Sequence, residues 1–226
     1  MTATRDLRFP VSDHDEVSAL LLMPPAAKCL LVLGHGAGAG MRHAFMNAIA
    51  EDLAAVGVGT FRYQFPYMEE HRRVPDRQPV LLATVAAAAK TAAKCAPDLP
   101  LFAGGKSMGG RMTSLATVEG VLGGVRGLVF CGFPLHPPKQ PSVKRAEHLK
   151  RVKVPMLFLQ GKRDELAELA LLKPVCEELG TLATLHILDG ADHSFHVLKR
   201  SGTTDELVRR ELARVAADWC SRVANN

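Results

Sequence analysis

Ser107, Asp164 and His193 have the types and the surroundings for nucleophilic catalysis. A serine hydroxyl is a poor nucleophile at neutral pH. It needs a base to take its proton, and the base needs a carboxylate to orient it. Ser107 lies in Gly104-Gly105-Lys106-Ser107-Met108-Gly109-Gly110, a G-x-S-x-G pattern. An apolar stretch, Leu99 to Ala103, precedes it and a helix-like stretch, Arg111 to Val121, follows it. Strand, Gly-flanked turn and helix form the setting in which a serine hydroxyl is lifted above a sheet edge. Gly105 and Gly109 remove Cβ atoms that would clash in so sharp a turn. The turn also sets the Met108 amide at a helix N-terminus, where an oxyanion is favoured.

The base and the carboxylate follow Ser107 at strand ends. Asp164 lies in Gly161-Lys162-Arg163-Asp164-Glu165, after the apolar run Val154 to Gln160. Glu165 is the substitute carboxylate, less suited because the turn would have to aim the next residue. Asp164 also has a purely structural alternative, capping the helix expected over Leu166 to Leu179. His193 lies in Ala191-Asp192-His193-Ser194-Phe195, after the last strand, Thr184 to Leu188. Its rivals are His196, at the pocket or the start of the next segment, and His186, which sits within the strand and reads as structural. Asp192 reads as a loop carboxylate. A second oxyanion amide is expected from the loop after the strand Lys28 to Leu33, His35-Gly36-Ala37-Gly38. The choice is Ala37, with Gly38 as the alternative.

Competing patterns fit less well. A plain strand-helix turn accounts for the Gly-rich segment but not for Asp164 and His193. Gly105-Lys106-Ser107 ends like a phosphate-binding P-loop, but the position of that pattern's first Gly is Pro100. Gly34-His35-Gly36-Ala37-Gly38-Ala39 fits a relaxed dinucleotide loop, which expects an acidic residue near the end of the next strand. Phe61-Arg62-Tyr63-Gln64 offers Arg62 there, suited to a 2′-phosphate, and leaves the Ser, Asp and His placements unexplained.

Taken together, His35-Gly36, Gly105-Lys106-Ser107-Met108-Gly109-Gly110-Arg111, Gly161-Lys162-Arg163-Asp164 and Ala191-Asp192-His193-Ser194-Phe195 resemble the α/β-hydrolase superfamily. More narrowly, the chain is similar to small dienelactone-hydrolase-like predicted hydrolases. That group includes small bacterial proteins and a hydrolase-like domain in a eukaryotic histone-acetyltransferase complex. The resemblance covers roughly Val17 to Trp219 and implies the order Ser, Asp, His for the triad. It says little of the substrate, because this fold serves many chemistries. Many relatives insert a cap domain after the strand corresponding to Arg126 to Phe133. Here Pro134 to Val152 leaves room for a loop and one short helix. The expected pocket is therefore shallow and open, walled by His35, Phe65, Tyr67, Met108, Leu135, His136 and Phe195. Lys106 is read as an ion-pairing neighbour of the nucleophile, with substrate contact as the alternative.

The elements that must position these residues alternate strand and helix. Glu16 to Met23 reads as an edge strand. Phe45, Ile49, Leu53 and Val56 fall on one face of a helix over Phe45 to Val56. Val58 to Phe65 is a strand, Tyr67 to Pro79 a charged loop, and Val80 to Cys95 an Ala-rich helix. Arg126 to Phe133 is a strand, Ser142 to Arg151 a short helix, and Thr204 to Val223 the last helix. The alternation predicts an α/β fold with a mostly parallel central sheet, helices on both faces and no large cap. At 226 residues the chain reads as a single domain, 1–226, able to bury its core without disulfides.

Composition bounds the rest. The chain is 47% hydrophobic and 23% charged, an ordinary globular balance. The five cysteines, Cys29, Cys95, Cys131, Cys176 and Cys220, lack C-x-x-C spacing and read as reduced cytosolic thiols. Met1 to Asp15 is polar and charged, without the apolar core of a signal peptide, and no run is long enough to span a bilayer. A cytoplasmic location follows as the expectation. Part of the +5 net charge collects between Lys139 and Arg163, where Glu147 stands among Lys139, Lys144, Arg145, Lys150, Arg151 and Lys153. The main reading is a solvated face and the other an anionic substrate or partner. No aromatic residue interleaves with the charge between Pro134 and Met156, so nucleic acid is not expected as a partner. No membrane, metal or organic cofactor is implied, and nothing in the sequence speaks to oligomeric state. The reading is a serine hydrolase of a small-molecule acyl substrate, an ester or thioester. An acyltransferase or peptidase using the same triad is the alternative, as is a non-catalytic binding protein of the same fold.

Overall fold

The computed structural model describes residues 3–12 and 15–225. The reading of Met1 to Asp15 includes residues 1, 2, 13 and 14, which lie outside the described residues. The chain opens with two antiparallel strands, β1 (Thr4–Pro10) and β2 (Glu16–Leu22). β3 (Cys29–Gly34), β4 (Val58–Tyr63), β5 (Leu101–Lys106), β6 (Val125–Cys131), β7 (Met156–Gly161) and β8 (Ala183–Leu188) then run parallel to one another. All join one eight-stranded sheet in the order β1-β2-β4-β3-β5-β6-β7-β8. β3, β4 and β7 are buried at every position, as strands covered on both faces must be. The sequence places Glu16 to Met23 at the sheet edge, but β2 lies second from it. β1 takes the edge. It was hidden in the sequence because Arg5, Asp6 and Arg8 break its apolar pattern and only Phe9 is fully buried.

The helices are α1 (Ala44–Ala55), the single turn α2 (Pro66–Glu69), α3 (Gln78–Cys95), α4 (Met108–Val118), α5 (Leu169–Leu179) and α6 (Asp205–Ala224). Alternation along β3 shows how they divide. Leu31 and Leu33 pack with Ile49 and Leu53 of α1 and Leu212 and Trp219 of α6. Leu30 and Val32 face the other way, into a core with Val85 of α3, Met112 of α4 and Leu172 of α5. Burying such side chains is worth about 1.5–3 kcal/mol each, so the sheet is held rigid from both sides.

Helix boundaries follow local chemistry. α3 starts two residues before its expected Val80, because Pro79 fits the first turn, where a missing N–H costs nothing. Thr204 caps α6 by accepting from the Leu207 amide at 3.2 Å. α5 starts three residues later than expected, with Glu168 at its N-cap, so Asp164 does not cap it. Between β6 and β7 the chain makes a loop and a 3₁₀ segment, Lys144–Arg151, and inserts no cap domain. Among the described residues, no helix is long and apolar enough to cross a membrane. The carboxyl ends of β3, β5, β7 and β8, where open parallel sheets hold their ligands, carry the residues of interest.

Candidate active site

Ser107 sits between β5 and α4 with φ 51° and ψ −113°. A non-glycine residue held there costs about 1–3 kcal/mol and persists only where its surroundings enforce it. Here the Ser107 amide donates to the Cys131 carbonyl at 3.1 Å, and the Arg111 amide donates to the Ser107 carbonyl at 3.1 Å. A Cβ on Gly105 would lie 2.4 Å from the Gly34 carbonyl oxygen, and one on Gly109 2.3 Å from the same atom. The elbow therefore presses on the end of β3. That contact brings the loop carrying Ala37 beside the serine.

His193 stands between the serine and the carboxylate. Its Nε2 is 2.9 Å from Ser107 Oγ and its Nδ1 is 2.7 Å from Asp164 Oδ2. The Asp164 side chain is fully buried, while that of His193 is 22% exposed, so the ring can meet a ligand and the carboxylate cannot. Asp164 is held on all sides: Oδ1 accepts from the Leu166 amide at 2.8 Å, and Oδ2 also accepts from Gln160 Nε2. Gln160 Oε1 in turn accepts from the Phe133 amide at 3.1 Å. Sequence reading missed Gln160. Its signal is a lone amide in the otherwise apolar strand β7, and such a side chain needs a buried partner. The two loops are stitched together, with the Lys162 amide on the Leu188 carbonyl at 3.0 Å and the Arg163 amide on that of Ala191 at 2.8 Å.

The rivals are engaged elsewhere. His196 Nδ1 meets Asp205 Oδ2 at 2.8 Å, and His186 Nε2 meets Glu211 Oε1 at 2.8 Å. Asp192 Oδ1 accepts from the Ser194 and His196 amides at 2.8 and 3.0 Å, which shapes the loop. Glu165 is exposed and the ring nitrogen faces Asp164 instead. Arg62 is buried, bonded to the Met41 carbonyl at 3.2 Å and to Asn47, and is not presented to a nucleotide phosphate.

Two cavities, of about 440 and 370 Å³, meet at Ser107, Ala37 and Leu166. One arm runs past Met108, Arg111 and Arg145, the other past Phe45, Lys106 and His193. Met108 thus walls the cleft, but six other expected walls do not. His35, Phe65, Tyr67, Leu135, His136 and Phe195 are buried and border neither arm. Each instead supports a residue near or within the cleft. Leu135 and His136 donate backbone bonds to the Leu166 carbonyl at 2.8 and 3.3 Å. Phe195 stacks on Phe45 at 5.6 Å and lies under the Lys106 ammonium at 5.5 Å. His35 Nε2 accepts from the Phe65 amide at 3.2 Å while Nδ1 bonds the Gly36 carbonyl at 2.8 Å. Burial pushes the His35 ring down to about 4, so it stays neutral. His136 is held by the Pro137 carbonyl at 2.8 Å and Glu168 at 2.6 Å. These six side chains pack beneath the loops, and the loops themselves line the cleft.

The Gly38 amide donates to the Tyr67 hydroxyl at 3.1 Å and is thereby occupied. The amides of Ala37 and Met108 have no protein acceptor among the described residues. Lys106 forms no ion pair there either, and its local contact is with the Phe195 ring instead of the expected acid. Burial pushes its ammonium down to about 8, although Asp164, Cys131 and Asp192 oppose the shift. No three His, Cys, Asp or Glu side chains among the described residues gather as metal ligands.

Comparison with known proteins agrees with this frame. Residues 27–221 match the family model described as an alpha/beta hydrolase domain. The chain belongs to the alpha/beta hydrolase family. Among solved structures similar to it is a dienelactone hydrolase from Anabaena variabilis, at 21% identity, 98% coverage of both chains and a TM-score of 0.77. Est1E from Butyrivibrio proteoclasticus is 16% identical over 96% of this chain and 99% of its own, with a TM-score of 0.71. XC6422 from Xanthomonas campestris, described as an α/β serine hydrolase without lid, is 18% identical over 97% of this chain and 96% of its own, with a TM-score of 0.73. At these identities the likeness speaks for the fold, and the chemistry of this family member rests on its own side chains.

Proposed function

We propose that this alpha/beta hydrolase cleaves a small ester or thioester through an acyl-enzyme on Ser107. The observation that carries the reading is the relay from Ser107 Oγ through His193 to Asp164, at 2.9 and 2.7 Å. His193 Nε2 takes the Ser107 proton as Oγ attacks the carbonyl carbon. Asp164 holds the ring and stabilises its charged form. The amides of Ala37 and Met108 donate to the oxyanion that develops, and the Met108 amide adds the positive end of α4. The imidazolium then returns its proton to the leaving oxygen or sulfur, and the carbon–heteroatom bond breaks. Water, deprotonated by His193, attacks the acyl-enzyme and releases the acid and Ser107.

The strained Ser107 backbone supports the reading, since it faces the hydroxyl to the cleft at a cost the fold would not otherwise bear. The bipartite cleft supports a small substrate, with one arm on each side of the reacting carbonyl. The dienelactone hydrolase and serine hydrolase names among the similar structures point the same way. The test is hydrolysis of short-chain 4-nitrophenyl esters and acyl thioesters by wild type and Ser107→Ala. Expected is saturable turnover that falls about 10⁴-fold or more in the variant. Equal rates for the two proteins overturn the proposal. Adding an alcohol or amine separates hydrolysis from acyl transfer, because a transferase diverts acyl groups from water.

A further inference from the structure

We infer that the arm of the cleft bordered by Arg111 and Arg145 binds an anionic group of the substrate, a carboxylate or a phosphate, beside the carbonyl held at Ser107. This inference rests on the hydrolase reading and specifies the class of ester or thioester involved.

Arg111 belongs to the catalytic helix. It stands four residues after Ser107, so the two positions are roughly one helical turn, about 5–6 Å, apart. Its Nε is buried and has no hydrogen-bond partner. A buried guanidinium N–H without an acceptor is costly, and proteins pair such groups wherever a partner exists. Arg145 comes from the other side, out of the 3₁₀ segment Lys144–Arg151. Neither arginine makes an ion pair among the described residues. Burial lowers the pKa of both, and Arg145 lowers that of Arg111 further, with no acid opposing either shift.

Among the described residues Asp76 is the one acid on the same arm, and it is already occupied. Its Oδ1 bonds Arg72 at 2.6 Å and its Oδ2 accepts from the Tyr67 amide at 2.8 Å. Both arginines also border a second groove, with Lys144, His148 and Arg151. Glu147 borders that groove and forms no ion pair with either arginine. His148 adds no charge near pH 7: burial, Arg111 and Arg151 push it down to about 4, and its Nε2 meets Ser114 Oγ at 2.7 Å. Two guanidiniums turned to one cavity, repelling each other and lacking acids, are complementary to a carboxylate or phosphate, which each can bind through paired N–H groups. The basic stretch that reads as a solvated face in the sequence thus sends Arg145 into the cleft.

The experiment measures how fast a fluorophosphonate labels Ser107, alone and with benzoate, phenyl phosphate or the neutral analogue benzamide. Each protein's own uncompeted rate is the reference. Expected in wild type is saturable slowing of at least about fivefold by benzoate, phenyl phosphate or both, and little by benzamide. The stronger of the two anions identifies the source of the charge. The slowing should largely disappear in Arg145→Gln and in Arg111→Gln, the first of which leaves the catalytic helix intact. Labelling that the anions slow no more than benzamide does overturns this inference alone. So does protection that survives in both variants. No labelling of folded wild type overturns the hydrolase reading and this inference with it.

Discussion

The loop after β3 and the loop after β8 each carry a histidine to the carboxyl edge of the sheet, where His35 is fully buried and His193 is not. Both nitrogens of His35 are spent on backbone, one on the Phe65 amide and one on the Gly36 carbonyl. His193 spends one nitrogen on Asp164 and keeps the other for Ser107. The same side chain is thus a neutral brace in one loop and, in the proposed mechanism, the proton carrier in the other. What separates them is how many of the ring's bonds the fold itself consumes.

The largest effect should come from removing the carrier. His193→Ala is expected to lower kcat/KM on an active ester by about 10⁴-fold or more, with a melting temperature close to wild type. A variant that keeps most of the activity would place the base elsewhere. Removing the brace should show the reverse pattern. His35→Phe leaves the buried Phe65 amide without its acceptor, at a cost of about 1–3 kcal/mol in denaturant unfolding near pH 7. His35 also gives stability a pH dependence. Its pKa is about 4 when folded against 6.5 when free, so the unfolded chain binds the proton more tightly. That contribution is complete above pH 6.5 and is lost as pH falls toward 4, by about 3 kcal/mol in all. His148, shifted the same way, adds to the acid slope. The slope should therefore shrink in His35→Phe without vanishing, and an unchanged slope would deny His35 its neutral role.

Gln160→Leu sharpens the comparison on the His193 side. It frees Asp164 of one bond and leaves the carboxylate less firmly aimed. We expect kcat to fall about tenfold, with KM little changed and partial recovery in Gln160→Asn. A change in stability alone is expected at Lys106, whose folded pKa of about 8 lies below the free 10.5. Its burial costs stability in full below pH 8, where both states are charged. The cost is relieved between pH 8 and 10.5, as only the unfolded lysine keeps its proton. Lys106→Met should thus be about 1–3 kcal/mol more stable than wild type at pH 7, a gain that fades at high pH.

Much of the frame is legible in the sequence because it is written in local patterns. Apolar runs marked β3, β4 and β7, and Gly105 and Gly109 marked the elbow between strand and helix. The residues the relay brings together, Ser107, Asp164 and His193, were visible through type and order at strand ends. The cleft walls were not. Aromatic residues after strands suggested a lining, but Phe65, Tyr67 and Phe195 buried their rings under the loops, which hydrophobicity rewards more than exposure to a ligand. The walls that replaced them, Arg111 and Arg145, are charged residues of ordinary surface type. Lys144–Arg151 packs against α4, and that brings both arginines to the border of the cleft. β1 stayed hidden for a related reason, since one buried residue is too little to reveal a strand.

The account stands most directly on the reactivity of Ser107. Purified wild type, Ser107→Ala and His193→Ala should be treated with a fluorophosphonate and the adduct located by peptide mass. The account predicts one adduct, on Ser107, absent from Ser107→Ala and formed far more slowly in His193→Ala. Folded wild type that stays unlabelled, or labelling that persists in Ser107→Ala, would contradict it.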